Sequence, residues 1–125
     1  MIWIYLDDIR ETPGDRFWER TYSVNQTRDI IQSYERVGLN KSFVISLDHD
    51  LGEYSKDGGD AIDLVKWLIE TGRTGENITL EFHTSNVVGL ANMYALYKRY
   101  FANGAKTKNM IIYCEVLLWL IILMR

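Results

Sequence analysis

Cysteine occurs once, at position 114 of 125 residues, so no internal disulfide can form and a cysteine-based zinc site is excluded. A reducing, cytoplasmic compartment is expected. Basic charge is also short: 14 Lys and Arg against 17 Asp and Glu leave a formal charge of -3 and a pI near 5.3. No broad positive field is available for the backbone of long double-stranded DNA, whereas a small anion held by a few local groups or through a metal remains open. Long apolar runs are scarce, with one exception, MIIYCEVLLWLIILM at 110–124, broken only by Glu115. A bilayer span needs about 20 residues. The segment therefore reads as a buried last strand plus an apolar extension, with a homo-oligomer interface or a membrane-associating tail as the alternative. The N-terminal MIWIYLDD lacks a basic n-region and a long apolar h-region and reads as a strand rather than a signal peptide. Neither a G-x-G-x-x-G nor a Walker pattern is present, so Gly58-Gly59 reads as a turn.

What is present suffices for one core: 47% of residues are apolar and 13% aromatic. Short β-type runs alternate with helical periodicity, which signals parallel βα units. Strands are expected at IWIYL (2–6), ERTY (19–22), FVISL (43–47), ITLEF (78–82) and MIIYCEV (110–116). The first helix to be expected opens at Ser23, with Gln26 at capping-box spacing, sets Ile30, Tyr34 and Val37 on one face and stops at Gly38. A second starts at Asp60 and runs through AIDLVKWLIE to Gly72; a third carries Leu90, Met93, Tyr94, Tyr97 and Phe101 and ends near Gly104. The fold class is α/β, an open parallel sheet of about five strands with helices on both faces. Residues 1–109 form the domain, and 110–125 add its last strand and apolar extension. Only residues 7–19 separate the first two strands, so a helix there should be short or absent.

In such a sheet the C-terminal ends of the strands line one edge, where open α/β folds bind ligands. Three strands end in ionisable or polar groups: Asp7-Asp8, then Asp48-His49-Asp50, then His83-Thr84-Ser85-Asn86. Carboxylates from two of these exits would repel one another unless a cation or a shared proton intervenes, and oxygen-only ligands suit Mg²⁺ or Mn²⁺. His49 and His83 are the chain's only histidines, and each can act as a general acid or base near neutral pH. His49 reads equally well as a surface group beside the acids, and Ser85 and Asn86 as caps of the following helix.

Together YLDDIRE, ISLDHDLGE, GGDAIDLVKWL and FHTSNVVGLANM resemble the cyclic-phosphate-processing receiver family, a receiver-like (flavodoxin-like) fold, over roughly residues 2–101. The resemblance implies action on cyclic phosphates of nucleotides, RNA ends or sugars rather than phosphorelay. It implies a metal pocket of Asp7, Asp8 and Asp48, a catalytic set of His83, Asp48, His49 and Asp50, and substrate contacts from Arg10, Arg20, Thr84, Ser85 and Asn86. Signalling receivers use a lysine after strand five, yet MIIYCEVLLW has none. A metal-dependent phosphoesterase is therefore the leading expectation; a phosphoaccepting regulator and a silent phosphate- or nucleotide-binding module are the alternatives.

Overall fold

The computed structural model describes residues 1–38 and 41–106. Four parallel strands, β1 (Ile2–Leu6), β2 (Trp18–Thr21), β3 (Phe43–Leu47) and β4 (Ile78–Phe82), form one sheet in the order β2-β1-β3-β4. The fifth strand expected at 110–116, like the rest of the apolar tail, lies outside the described residues. The helices are α1 (Val24–Arg36), α2 (Ala61–Glu70), α3 (Val87–Tyr100) and a short α4 (Ala102–Lys106), and a 3₁₀ segment spans Gly52–Lys56. No helix among the described residues is long and apolar enough to cross a membrane.

Strand alternation divides the sheet into two unlike faces. Ile4 and Leu6, Phe43, Ile45 and Leu47, and Ile78, Leu80 and Phe82 share one cluster with Val24, Ile31, Leu64, Leu68, Leu90 and Met93 from the helices. Each fully buried leucine or isoleucine there contributes roughly 1.5–3 kcal/mol. All three long helices pack on this face. On the other, Trp18 meets Trp3 and Tyr5 edge-on, and the Arg16 guanidinium lies 4.2 Å from the Trp3 ring centroid. The 7–17 connection contains no helix.

Two expectations shift at the helices. The core-facing residues of α1 are Val24, Thr27 and Ile31; Ile30 and Tyr34 only flank the core and Val37 is exposed. Thr27 makes this possible by bonding Thr21 Oγ1 and the Ser23 carbonyl, so a polar residue occupies an apolar stripe without an unpaired hydroxyl. Ser23 caps Gln26 N–H as the spacing predicts, but Gln26 returns its carbonyl to the Tyr22 N–H rather than to Ser23. The third helix stops at Tyr100, and α4 continues the chain past Gly104.

β1 and β3 are neighbours, yet the chain leaves β1 toward β2 on one side and returns at β3 on the other. That reversal opens a crevice at their C-terminal ends. Backbone bonds carry the ladder one residue further, from Asp7 N to Thr21 O (3.1 Å), Asp48 N to Leu6 O (3.0 Å) and His83 N to Leu47 O (2.9 Å). The chemistry-bearing residues thus leave the sheet in register.

Candidate active site

Asp7 leaves β1 fully buried, and its Oδ1 accepts from the backbone N–H groups of Ile9 (2.8 Å) and Arg10 (2.9 Å). Its other oxygen, Oδ2, meets His83 Nε2 at 3.0 Å. Burial alone would raise the Asp7 pKa, but the bonds from His83, Ile9 and Arg10 outweigh it and hold the carboxyl below its ordinary value. Asp48 goes the other way: burial raises its pKa and the Asp7 charge adds to the rise, against a hydrogen bond from Thr84. Asp7, Asp8 and Asp48 each offer an oxygen within 4.8 Å of the others. The expected acid trio therefore converges.

Gly52 makes room for it. Its φ of +55° starts the 3₁₀ segment, and a Cβ there would stand 2.6 Å from Asp8 Oδ2. The glycine turns the chain and admits a carboxylate against the backbone.

The two histidines stand in different surroundings. His83 stacks on Tyr5 with centroids 4.1 Å apart and planes within 9°, and its Nδ1 lies 2.6 Å from Ser46 Oγ. Because a carboxylate only accepts, Nε2 donates to Asp7, which leaves Nδ1 of the neutral ring to accept from the Ser46 hydroxyl. Both nitrogens are occupied. His49 is bound at one end only: Nδ1 meets Asp50 Oδ1 at 2.8 Å, with Asn86 Nδ2 3.4 Å away, and nothing among the described residues bonds its Nε2. Asn86 steadies Asp50 by donating from Nδ2 to both carboxylate oxygens (3.2 and 3.1 Å), while its own Oδ1 caps α3 by accepting from Gly89 N. Asn86 thus performs the capping role and a polar contact at once. Gly89 packs against the His49 ring so closely that any Cβ would collide with it.

The remaining expected residues separate into contacts and non-contacts. Thr84 is buried, bonds Asp48 and accepts from Asn86 N at 3.1 Å. Ser85, one position on, is exposed. Arg10 Nη1 donates to the His83 carbonyl (3.1 Å) and Arg20 Nε to the Asp7 carbonyl (3.0 Å), so both guanidinium groups are fixed at the pocket by backbone of its own residues. Asp60 joins His49 and Asp50 in a second acidic group, with its Oδ1 accepting from Leu51 N.

Sequence reasoning missed Ser46, Tyr5, Gly52 and Gly89. Ser46 had a signal, since it is the single polar residue of FVISL. Tyr5 shares a strand face with Asp7 by parity, which would have found it.

A comparison with curated proteins and one with solved structures each return no match. A family model does match, described as cyclic-phosphate processing receiver domain, and it covers residues 2–99. The LDD, SLDHDLG and HTSN exits all fall inside that span and meet at one crevice, and the chain belongs to the cyclic-phosphate processing receiver domain family.

Proposed function

We propose that the chain is a metal-dependent phosphoesterase that opens a cyclic phosphate carried by a nucleotide, an RNA end or a sugar. The observation that supports it most is the convergence of Asp7, Asp8 and Asp48 oxygens within 4.8 Å at the β1–β3 crevice. Three carboxylates this close, one of them fully buried and the other two half-buried, repel one another, and a divalent cation relieves that repulsion. An all-oxygen donor set fits Mg²⁺ or Mn²⁺. Asp7, Asp8 and Asp48 would hold the ion, and when bound it supplies Lewis-acid polarisation of a phosphoryl oxygen.

The chain's own groups divide the remaining work. Arg10 and Arg20, each anchored through one N–H, keep further donors for phosphate oxygens. Thr84 steadies Asp48, and Asn86 holds Asp50. His83, expected in the catalytic set, commits both nitrogens and serves to fix Asp7. Proton transfer falls to His49. Its Nε2 accepts a proton from water as the water oxygen bonds phosphorus, and the same proton passes to the ester oxygen whose bond to phosphorus breaks. Asp50 orients the ring throughout.

Purified protein with Mg²⁺ or Mn²⁺ should convert 2′,3′-cyclic or 3′,5′-cyclic phosphates to monoesters, and a chelator or Asp48→Asn should stop it. Failure with either metal across both classes would overturn the reading. Tight binding with ligand recovered unchanged would leave a sequestering module. A second reading rests on the Thr84–Asp48 bond, since a hydroxyl beside a strand-three aspartate also serves a phosphoaccepting receiver. Acetyl phosphate decides it: a stable, Asp48-dependent mass gain would favour phosphoacceptance.

A further inference from the structure

Beside the acid crevice two exposed aromatic side chains stack on each other. Tyr22 immediately follows β2 and Tyr54 lies in the 3₁₀ segment after β3, so both stand at the edge of the sheet that carries the acids. Their ring centroids are 5.4 Å apart with planes inclined by 29°, and the residues remain 38% and 41% exposed. Large apolar rings left this accessible on adjoining strand exits are not used by the core.

The pair is tied to the acid crevice from both sides. Arg20 lays its guanidinium 4.6 Å from the Tyr22 ring centroid and donates from Nε to the Asp7 carbonyl. Tyr54 follows two residues after Gly52, whose backbone lies against Asp8. The segments bearing the two rings are also fastened together. Ser23 Oγ donates to Asp57 Oδ2 (2.6 Å), Asn25 Nδ2 donates to Asp57 Oδ1 (3.0 Å), and Asn25 N donates to the Asp57 carbonyl (3.1 Å). The stack is held before any ligand arrives, which reduces the ordering that binding would otherwise require.

We infer that Tyr22 and Tyr54 form a stacking platform for a nucleobase, so that the cyclic phosphate this site takes is that of a nucleotide or an RNA end rather than of a bare sugar. Stacking tolerates any base, because each base has a π face. The phosphate would be gripped by Arg20 and the crevice, with the base on the neighbouring rings. Arg20 is the hinge of this arrangement, being in contact with both halves. The net charge of -3 keeps the ligand short, since a long polyanion would meet no extended basic track.

The inference rests on the cyclic-phosphate reading, and the experiment separates the two. Initial rates are measured for the full chain with adenosine 2′,3′-cyclic phosphate and with glycerol 1,2-cyclic phosphate, which lacks a base. The expected kcat/KM ratio favours the adenosine ester by roughly tenfold or more. Tyr54→Leu and Tyr22→Leu should each lower that ratio several-fold, and Tyr54→Phe, which keeps the ring, should preserve it. Equal rates on both esters, or a ratio that Tyr54→Leu does not move, would overturn the platform while leaving the hydrolase reading intact. If neither ester is cleaved, the hydrolase reading falls and binding judges the platform: upfield shifts of the adenine H2 and H8 resonances of adenosine 5′-monophosphate, lost in Tyr22→Leu, would support it. No shift with the wild-type chain would overturn it.

Discussion

His83 and His49 leave neighbouring strands at the same edge of the sheet, but only one of them has a nitrogen to spare. His83 is clamped between Ser46 and Asp7 and stacked on Tyr5, and its side chain is 12% exposed. His49, 15% exposed, is engaged only through Nδ1, by an Asp50 that is itself 64% exposed and, at 3.4 Å, by the Asn86 amide that also holds Asp50. Accessibility barely separates the two rings; hydrogen bonding does. An imidazole satisfied at both nitrogens orients its neighbours, whereas one backed at Nδ1 alone can exchange a proton through Nε2.

The largest effect should come from breaking the two rings separately. His49→Ala is expected to reduce kcat by about 10²–10⁴, the usual range for a lost general base, while leaving Mn²⁺ affinity close to wild type. His83→Ala should reverse the pattern, weakening metal affinity about 10–100-fold as loss of a group behind a ligand does. Calorimetric metal titration alongside kcat at saturating metal distinguishes them, and equal losses in both quantities for both variants would erase the contrast.

Gly89→Ala sharpens the same contrast without removing a polar atom. Alanine favours a helix interior over glycine by about 1 kcal/mol, yet a Cβ here runs into the His49 ring. The fold should therefore survive, with kcat reduced and metal binding preserved. A variant with wild-type turnover would mean that the position of His49 does not matter.

The smallest effect is thermodynamic and compares buried Asp7 with half-buried Asp48. The Asp48 pKa is raised from 3.8, chiefly by burial, so the native state takes up its proton more readily than the unfolded chain does. Its contribution to stability therefore falls as pH climbs from 3.8 through the raised value and stays lower above it. Asp7, held below 3.8, stabilises above that value, and its contribution is lost as pH falls through the lower native one. Asp48→Asn should accordingly raise the metal-free melting temperature at neutral pH by a few degrees, on the order of 1 kcal/mol. Added Mg²⁺ should stabilise the wild type and not the variant. A metal-free variant that melts lower would show that the carboxylate is already satisfied.

Much of this was legible in the residues. Short β-type runs located β1, β3 and β4, and the position of acids at strand ends located the crevice, because burial and charge are local properties of a sequence. Residue type and parity place Ser46 and Tyr5 on their strands, but their contacts with His83 depend on β4 arriving beside β3, which is a property of the fold and not of either strand. The same limit misassigned the buried face of α1, where Thr27 is accommodated only because Thr21 arrives from β2 to share its hydroxyl. The roles of the two histidines depended on partners 37 and 76 positions away for His83, and for His49 on the adjacent Asp50 together with Asn86, 37 positions away. Spacing along the chain carries no record of such pairings.

Every metal-dependent expectation requires Asp7, Asp8 and Asp48 to act as one cation site. Calorimetric titration of Mn²⁺ into the wild-type chain and into Asp7→Asn addresses it directly: one ion per chain is predicted for the wild type, with binding lost or severely weakened in the variant. No binding to the wild type, or binding that Asp7→Asn leaves unchanged, would contradict it.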